Sequence, residues 1–261
     1  MSFLGSIGRT TLERLRMLPY VTGLICASLS LAVQPRVWNP PLLKVLSRQV
    51  YYTAYQGIPF ISLIAALVGV MAVIQAQMIS AMTGTASLSG SVLVLILMRE
   101  LSPLLVNFVM IGRSGAAIAA EMASMRVNGD VKVLDAQGLD PMIYLVMPRV
   151  VGAGISVFCL TVIFVIVAFT FGYIFGAMLG LTPAPSIFAH NVLMAMGKAD
   201  VPSFLCKTLI PGMATAAIAC SEGLGIRGNM TEIPQATTRA VVRATLALVF
   251  ISALISAVTY G

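Results

Sequence analysis

Arg99 and Glu100 stand side by side within an apolar run from about Leu88 to Ile111 that holds no other charge. A charged side chain at the centre of a membrane helix costs roughly 2.5–3.5 kcal/mol on insertion scales. Arg99 falls about eleven residues into the run, roughly 16 Å along a helix rising 1.5 Å per residue, close to the middle of a bilayer. Adjacent helical residues point about 100° apart, so the two cannot simply neutralise each other. Each needs a partner on another helix or a wet cavity. One reading is a structural pair, for instance Arg99 with Glu222. Another is a substrate cavity in which Arg99 attracts a phosphate group. A third is an ion relay of Arg99, Glu100 and Glu222 in a secondary transporter. A scaffold protein would tolerate apolar residues at both positions.

The rest of the chain offers little catalytic chemistry. It has no GxxxxGK[ST] phosphate loop, and Gly197-Lys198-Ala199 does not supply one. HExxH and GxSxG are absent, and no acidic cluster is spaced for a metal. The single histidine, His190, falls in an expected loop. Cys26, Cys159, Cys206 and Cys220 are scattered through apolar segments without a CxxC pair and read as small buried hydrophobes. No enzyme, cofactor or metal site is expected.

The elements that would hold Arg99 and Glu100 follow from composition. Of 261 residues, 59% are hydrophobic and 10% charged, with a mean hydropathy of +0.98. Soluble domains carry about 25% charge, and so few charges cannot cover a water-facing surface. An all-α integral membrane protein follows, a single domain over 1–261 with about five transmembrane helices after N-terminal interfacial helices in 1–56. Spans are expected at about Pro59–Ser80, Leu88–Ile111, Val150–Leu181, Phe204–Ile226 (kinked at Pro211-Gly212) and Arg239–Tyr260, the last capped by Thr237 or Thr238. Asp140-Pro141 reads as an N-cap followed by proline at the first helical position. Pro183–Pro202 is expected to be a loop.

Upstream, Leu12, Leu15 and Val21 could face lipid while Arg9, Glu13 and Arg16 face water, which makes an interfacial helix. The signal-peptide alternative is weakened by Glu13, Pro19 and a poor cleavage motif. A second interfacial helix begins near Asn39-Pro40-Pro41, among Trp38, Lys44, Arg48, Tyr51 and Tyr52.

The net charge of +7 is topological and implies no nucleic-acid partner, because the basic residues lie between apolar runs. With the N-terminus in the cytoplasm, that side holds Arg9, Arg14, Arg16, Arg36, Lys44, Arg48, Arg113, Arg126, Lys132, Arg149, Arg227, Arg239 and Arg243. The outer side holds only Lys198 and Lys207. Five spans then put the C-terminus outside.

The polar stretch 112–140 faces the cytoplasm and carries Arg113, Glu121, Arg126, Asp130, Lys132, Asp135 and Asp140. A helix from about Gly115 to Met125, with a turn or two after Asn128-Gly129, would form an elbow able to dock a soluble partner. Gly172, Gly176 and Gly180 make one small-residue stripe, and Gly112, Gly115, Ala116 and Ala119 another. Both suit close helix packing.

Several segments resemble one family in order and with matching gaps. Met98-Arg99-Glu100-Leu101-Ser102-Pro103 is similar to its RELGP motif. Ile111-Gly112-Arg113-Ser114-Gly115-Ala116-Ala117 resembles AGRxGSA. Ala120-Glu121-Met122 with Met125-Arg126 resembles AEIGxMR. Leu139-Asp140-Pro141 with Met147-Pro148-Arg149 resembles VDP…VPR, and Ala236 to Val242 resembles ATTRAVV. Asp200 and Lys207 resemble an Asp and a Lys before the fourth span.

The family is the MlaE (YrbE-like) permeases of MCE-associated ABC transporters. The resemblance implies a homodimer in the inner membrane and a separate ATPase. It also implies an MCE-domain ring protein, often a small STAS-domain subunit, and a phospholipid cargo moved to or from the outer membrane. Arg99 and Glu100 would then line the lipid cavity, with Lys207 near its outer mouth. The ATPase-coupling segment would carry Glu121, Arg126, Asp130, Asp135 and Asp140. The chain departs from the family's TEQIDAL run at Asn128 to Leu134, where Gly129 and Lys132 replace acidic residues. Gly129 is expected to weaken that helix by about 1 kcal/mol. Ser221-Glu222-Gly223 and Asn229-Met230 depart as well.

Overall fold

The computed structural model describes residues 23–28, 30–32, 34, 40–83, 92–180 and 184–260. The expected interfacial helix of Arg9, Leu12, Glu13, Leu15, Arg16 and Val21 lies outside them, with Arg14, Arg36, Trp38 and the signal-peptide alternative. Among the described residues every regular element is a helix. Five stretches are long and apolar enough to cross a membrane: Pro40–Ile79, Val94–Asn128, Met142–Met178, Asp200–Leu224 and Met230–Thr259. The chain is a multi-pass, all-α membrane protein.

Helix α1 is Pro40–Thr53. Two prolines fit its first turn, where the backbone N–H groups have no intrahelical acceptor. A 3₁₀ turn, Tyr55–Gly57, joins it to α2, Ile58–Thr83.

The second span departs from its expected end at Ile111. A π-helical segment, Val94–Leu101, leads into α3, Ser102–Met110. A second π turn, Ile111–Gly115, carries the chain into α4, Ala116–Asn128. Ala116, Ala117, Ala119 and Ala120 are strong helix formers, and no proline interrupts them, so the helix runs on through the first half of the polar stretch. It stops at Gly129, whose φ of +84° is the left-handed C-terminal conformation. The expected penalty at Gly129 is therefore replaced by a capping role. Helix α5, Asp130–Ala136, follows at once. Asp140 then caps the next segment as expected, its Oδ1 accepting the Met142 N–H at 2.8 Å.

After a π turn at Met142–Val146, α6 runs over Met147–Met178. Gly180, with φ +69°, lies beyond that end, in a turn rather than on the packing stripe. The segment expected to be a loop holds α7, Pro185–Ala195, opened by proline at its first turn. His190 is exposed on that helix. Helix α8, Asp200–Leu224, starts four residues before the expected Phe204 and keeps Pro211 inside it. Helix α9, Ile233–Tyr260, starts six residues before the expected Arg239. Thr237 and Thr238 are not its caps. Their hydroxyls donate back to the carbonyls of Ile233 (2.7 Å) and Pro234 (3.0 Å), inside the first turns.

The chain divides into two compact units. One comprises residues up to Gln49, Ile111–Ala153 and Met213–Ala247. Its core is built on Ile118, Met122, Leu145, Val150, Ala216 and Cys220. Of the four cysteines expected to be buried only Cys220 is; Cys26, Cys159 and Cys206 are exposed, as an apolar side chain can be on a helix face that meets lipid. Gly223 lets α8 approach α4 there: a Cβ on it would stand 2.6 Å from the Ala119 carbonyl oxygen. The other unit comprises Val50–Met110, Gly154–Gly212 and the residues from Leu248 on. It is packed around Ile61, Val73, Leu97, Val106, Leu160 and Phe164. Gly69 and Gly172 bring α2 and α6 together, and a Cβ on Gly69 would lie 2.1 Å from the Ala168 carbonyl oxygen. Between membrane helices such close approach gains dispersion energy that lipid tails cannot supply.

Candidate functional site

Arg99 and Glu100 lie on the π-helical segment, and both find their partners on α8, within the same compact unit. Arg99 Nη2 donates to Asp200 Oδ2 at 3.0 Å, and its Nε lies 2.8 Å from Oδ1 in the same ion pair. Glu100 Oε1 accepts from Lys207 Nζ at 2.7 Å and from Ser256 Oγ, on α9, at 2.9 Å. Asp200 and Lys207 are seven residues apart, two turns of one helix, so they present to the same side about 10 Å from each other. Within this unit the carboxylate that Arg99 meets is Asp200, a pairing not among those expected from the charges alone.

The backbone explains why the cluster sits here. Pro103 is the fourth residue after Arg99 and has no N–H, so it cannot serve the Arg99 carbonyl as an ordinary helical residue would. Lys207 Nζ donates to that carbonyl at 2.8 Å. Wider turns take up the local mismatch: the Ser102 N–H bonds to the Leu97 carbonyl five residues back, and the Ser102 hydroxyl donates to the same oxygen at 2.6 Å. Helix α8 carries the mirror of this defect. Pro211 is the fourth residue after Lys207, and Asn107 Nδ2 donates to the Lys207 carbonyl at 3.3 Å. Asn107 Nδ2 also reaches the Pro103 carbonyl at 2.8 Å. Two proline-disturbed helices therefore supply each other's missing donors.

Exposure divides the four charges. The Asp200 and Lys207 side chains are each 1% exposed, whereas Arg99 is 25% and Glu100 40% exposed. Asp200 is further fixed by the Gly197 N–H, which donates to Oδ2 at 2.8 Å, and it occupies the first turn of α8, where a carboxylate suits the helix dipole. The formal charges cancel, which is how four ionised groups can coexist in a poorly solvated place. The two buried groups hold the two exposed ones in position.

Asn107 and Ser256 escaped the sequence reading. Asn107, 1% exposed, offered a signal as the one amide in the Leu88–Ile111 run. Ser256 offered none, since serine is common in membrane helices.

The other unit holds its own pairs. Arg149, buried, donates to Glu121 Oε1 at 2.8 Å and to the Leu145 carbonyl at 2.7 Å, tying α4 to α6. Glu222, also buried, accepts from Arg239 Nε at 3.2 Å and from Arg243 Nη1. Arg126, Asp130, Asp135 and Asp140 are exposed on or beside α4 and α5.

Residues 46–258 match the family described as "Permease MlaE". A probable ABC transporter permease of Rickettsia conorii is 30% identical over 228 residues, covering 87% of this chain and 88% of that one. A probable ABC transporter permease of Synechocystis is 37% identical over 188 residues, covering 72% and 71%. The intermembrane phospholipid transport system permease protein MlaE of Haemophilus influenzae is 23% identical over 261 residues, covering 100% and 98%. The membrane helices, their order and these matches together make the chain a member of the MlaE family of ABC transporter permeases, a transport subunit whose family implies an ATPase partner.

Proposed function

We propose that this chain is the permease subunit of an ABC transporter that moves phospholipid between inner and outer membrane, powered by a separate ATPase. It works as a single permease domain in a homodimer in the inner membrane, N-terminus cytoplasmic and C-terminus periplasmic, beside an MCE-domain protein. The observation that carries the reading is the neutral four-charge cluster in which Arg99 and Glu100 alone keep substantial exposure. Charges left part-exposed within a membrane helix are costly, and they characteristically face a substrate path or wet cavity. Here the buried Asp200 and Lys207 hold a part-exposed guanidinium and a part-exposed carboxylate ready for a polar headgroup, while apolar helix walls suit acyl chains. The name of the Haemophilus relative supports phospholipid as the cargo.

Exposed Arg126, Asp130, Asp135 and Asp140, with Glu121 held by Arg149, support α4 and α5 as the docking elbow for the ATPase. Closure of the ATPase pair would push the two elbows together and squeeze the lipid from between the permease copies. The test is ATP-driven transfer of a labelled phospholipid by the reconstituted complex. Transfer should fall at least tenfold in Arg99→Ala, equivalent to about 1.4 kcal/mol. If the purified dimer carries no phospholipid and Arg99→Ala transfers normally, the reading is wrong.

A further inference from the structure

The same cluster, on the reading just given, also bears on which headgroup it takes. Its exposed members are one cation and one anion on consecutive residues, with Cα atoms about 3.8 Å apart. Both recorded hydrogen bonds to Glu100 fall on Oε1, from Lys207 and Ser256. Among the described residues Oε2 receives none, and the side chain is 40% exposed. Asp200, the anion that balances Arg99, is buried beneath it. A ligand approaching from the exposed side therefore meets a guanidinium beside a carboxylate oxygen that still has acceptor capacity.

We infer that the site selects zwitterionic phospholipid headgroups, with the phosphate on Arg99 and the ammonium on Glu100 Oε2. In an ethanolamine or choline headgroup a two-carbon bridge separates the phosphate oxygen from the nitrogen, a spacing that fits neighbouring residues of one helix. A headgroup with a phosphate and no ammonium would gain from Arg99 alone and would lie beside a carboxylate oxygen, Glu100 Oε2, that it could not satisfy. Lys207 and Ser256 act as positioning residues, fixing Oε1 so that Oε2 turns outward.

The experiment equilibrates the permease–ATPase complex with vesicles of equal parts phosphatidylethanolamine and phosphatidylglycerol. The complex is then re-extracted and its retained lipid quantified by mass spectrometry. The lipid held by the wild type beyond that held by Arg99→Ala is the share of the site. That share should contain phosphatidylethanolamine over phosphatidylglycerol by about threefold or more. Glu100→Gln keeps the acceptor for Lys207 and Ser256, removes the charge, and should bring the ratio to about one. Because Glu100→Gln leaves a buried ammonium without a counter-charge, Glu100→Gln/Lys207→Met serves as the second variant, with the same expected ratio. A site share rich in phosphatidylglycerol, or a ratio unmoved by both variants, overturns the headgroup selection while leaving the lipid site intact. No difference in total phospholipid between wild type and Arg99→Ala would instead overturn the lipid site itself.

Discussion

Lys207 serves Arg99 through the backbone: its ammonium donates to the Arg99 carbonyl at 2.8 Å, the oxygen that Pro103 leaves without its ordinary donor. The same ammonium neutralises Glu100 at 2.7 Å. One buried side chain thus balances a charge and repairs a helix.

The first prediction separates those two tasks. Lys207→Met strands Glu100 and the Arg99 carbonyl together. Removing one member of a buried pair costs about 3–5 kcal/mol, and the partial exposure of Glu100 puts the loss at the lower end. Glu100→Gln/Lys207→Met removes both charges and should recover most of that loss, but not the part due to the carbonyl, about 1 kcal/mol. Thermal unfolding of the purified protein, followed by circular dichroism, reads both. Equal destabilisation by the single and double variants would show that the ion pair contributes nothing.

Pro103 is the second target. Pro103→Ala supplies an N–H that competes for the Arg99 carbonyl and lets the π segment relax toward an α-helix. Stability should hold or rise by up to about 1 kcal/mol, because a helix-interrupting residue is gone. Lipid transfer should nonetheless fall, since the turn that aims Arg99 and Glu100 at α8 changes its pitch. A melting curve and a transfer assay on the same preparation test this. Unchanged transfer would mean that the wide turns are incidental to the site.

The sequence made some of this legible and not the rest, for physical reasons. Long uncharged runs announce membrane helices, because a continuous apolar stretch of about 20 residues spans hydrocarbon with all its backbone bonds made within itself, and α2, α6, α8 and α9 appear near their expected places. Arg99 and Glu100 stand out because charge is costly there. Their partners, Asp200 and Lys207, are singled out only by the family resemblance and not by local pattern. Asp200 looks like a loop residue until α8 is seen to begin with it, and Lys207 looks like a residue of the outer surface until it is found two turns inside. A pairing across 101 or 107 residues leaves no local periodicity. The π segments are invisible for a related reason: they answer to Pro103 and to tertiary donors, not to propensity. The continuation of the second span into α4 was hidden by Arg113 and Ser114, polar residues that a helix leaving the hydrocarbon accommodates readily.

The elbow yields a third prediction. Asp130 and Asp135 are exposed on α5, and surface substitutions of this kind stay within about 0.5 kcal/mol. Asp130 opens α5, where a lysine opposes the helix dipole by about 0.3–1 kcal/mol, so Asp130→Lys/Asp135→Lys should melt only slightly below the wild type. If α5 meets the ATPase, the reversed charges should weaken co-purification of that subunit, and the weakening should shrink as salt is raised from 0.1 M, where the Debye length is about 10 Å, toward 1 M. Full ATPase retention at low salt would remove α5 from the interface.

Two glycines of similar appearance in the sequence should behave in opposite ways. A Cβ on Gly223 would stand 2.6 Å from the Ala119 carbonyl oxygen and 2.6 Å from Met122 Cβ, both on the rigid α4. Neither can move without shifting a helix, so Gly223→Ala should cost about 1–3 kcal/mol as overpacking. A Cβ on Gly112 would meet nothing within 4 Å, and its φ is not positive. Gly112→Ala should therefore be neutral or stabilise by up to about 1 kcal/mol, the helix-propensity gain. The pair of melts tests what a stripe of small residues is for. Loss at Gly223 alone assigns close packing to α4 against α8 inside the subunit. Comparable loss at Gly112 would show that its open face is covered by another chain.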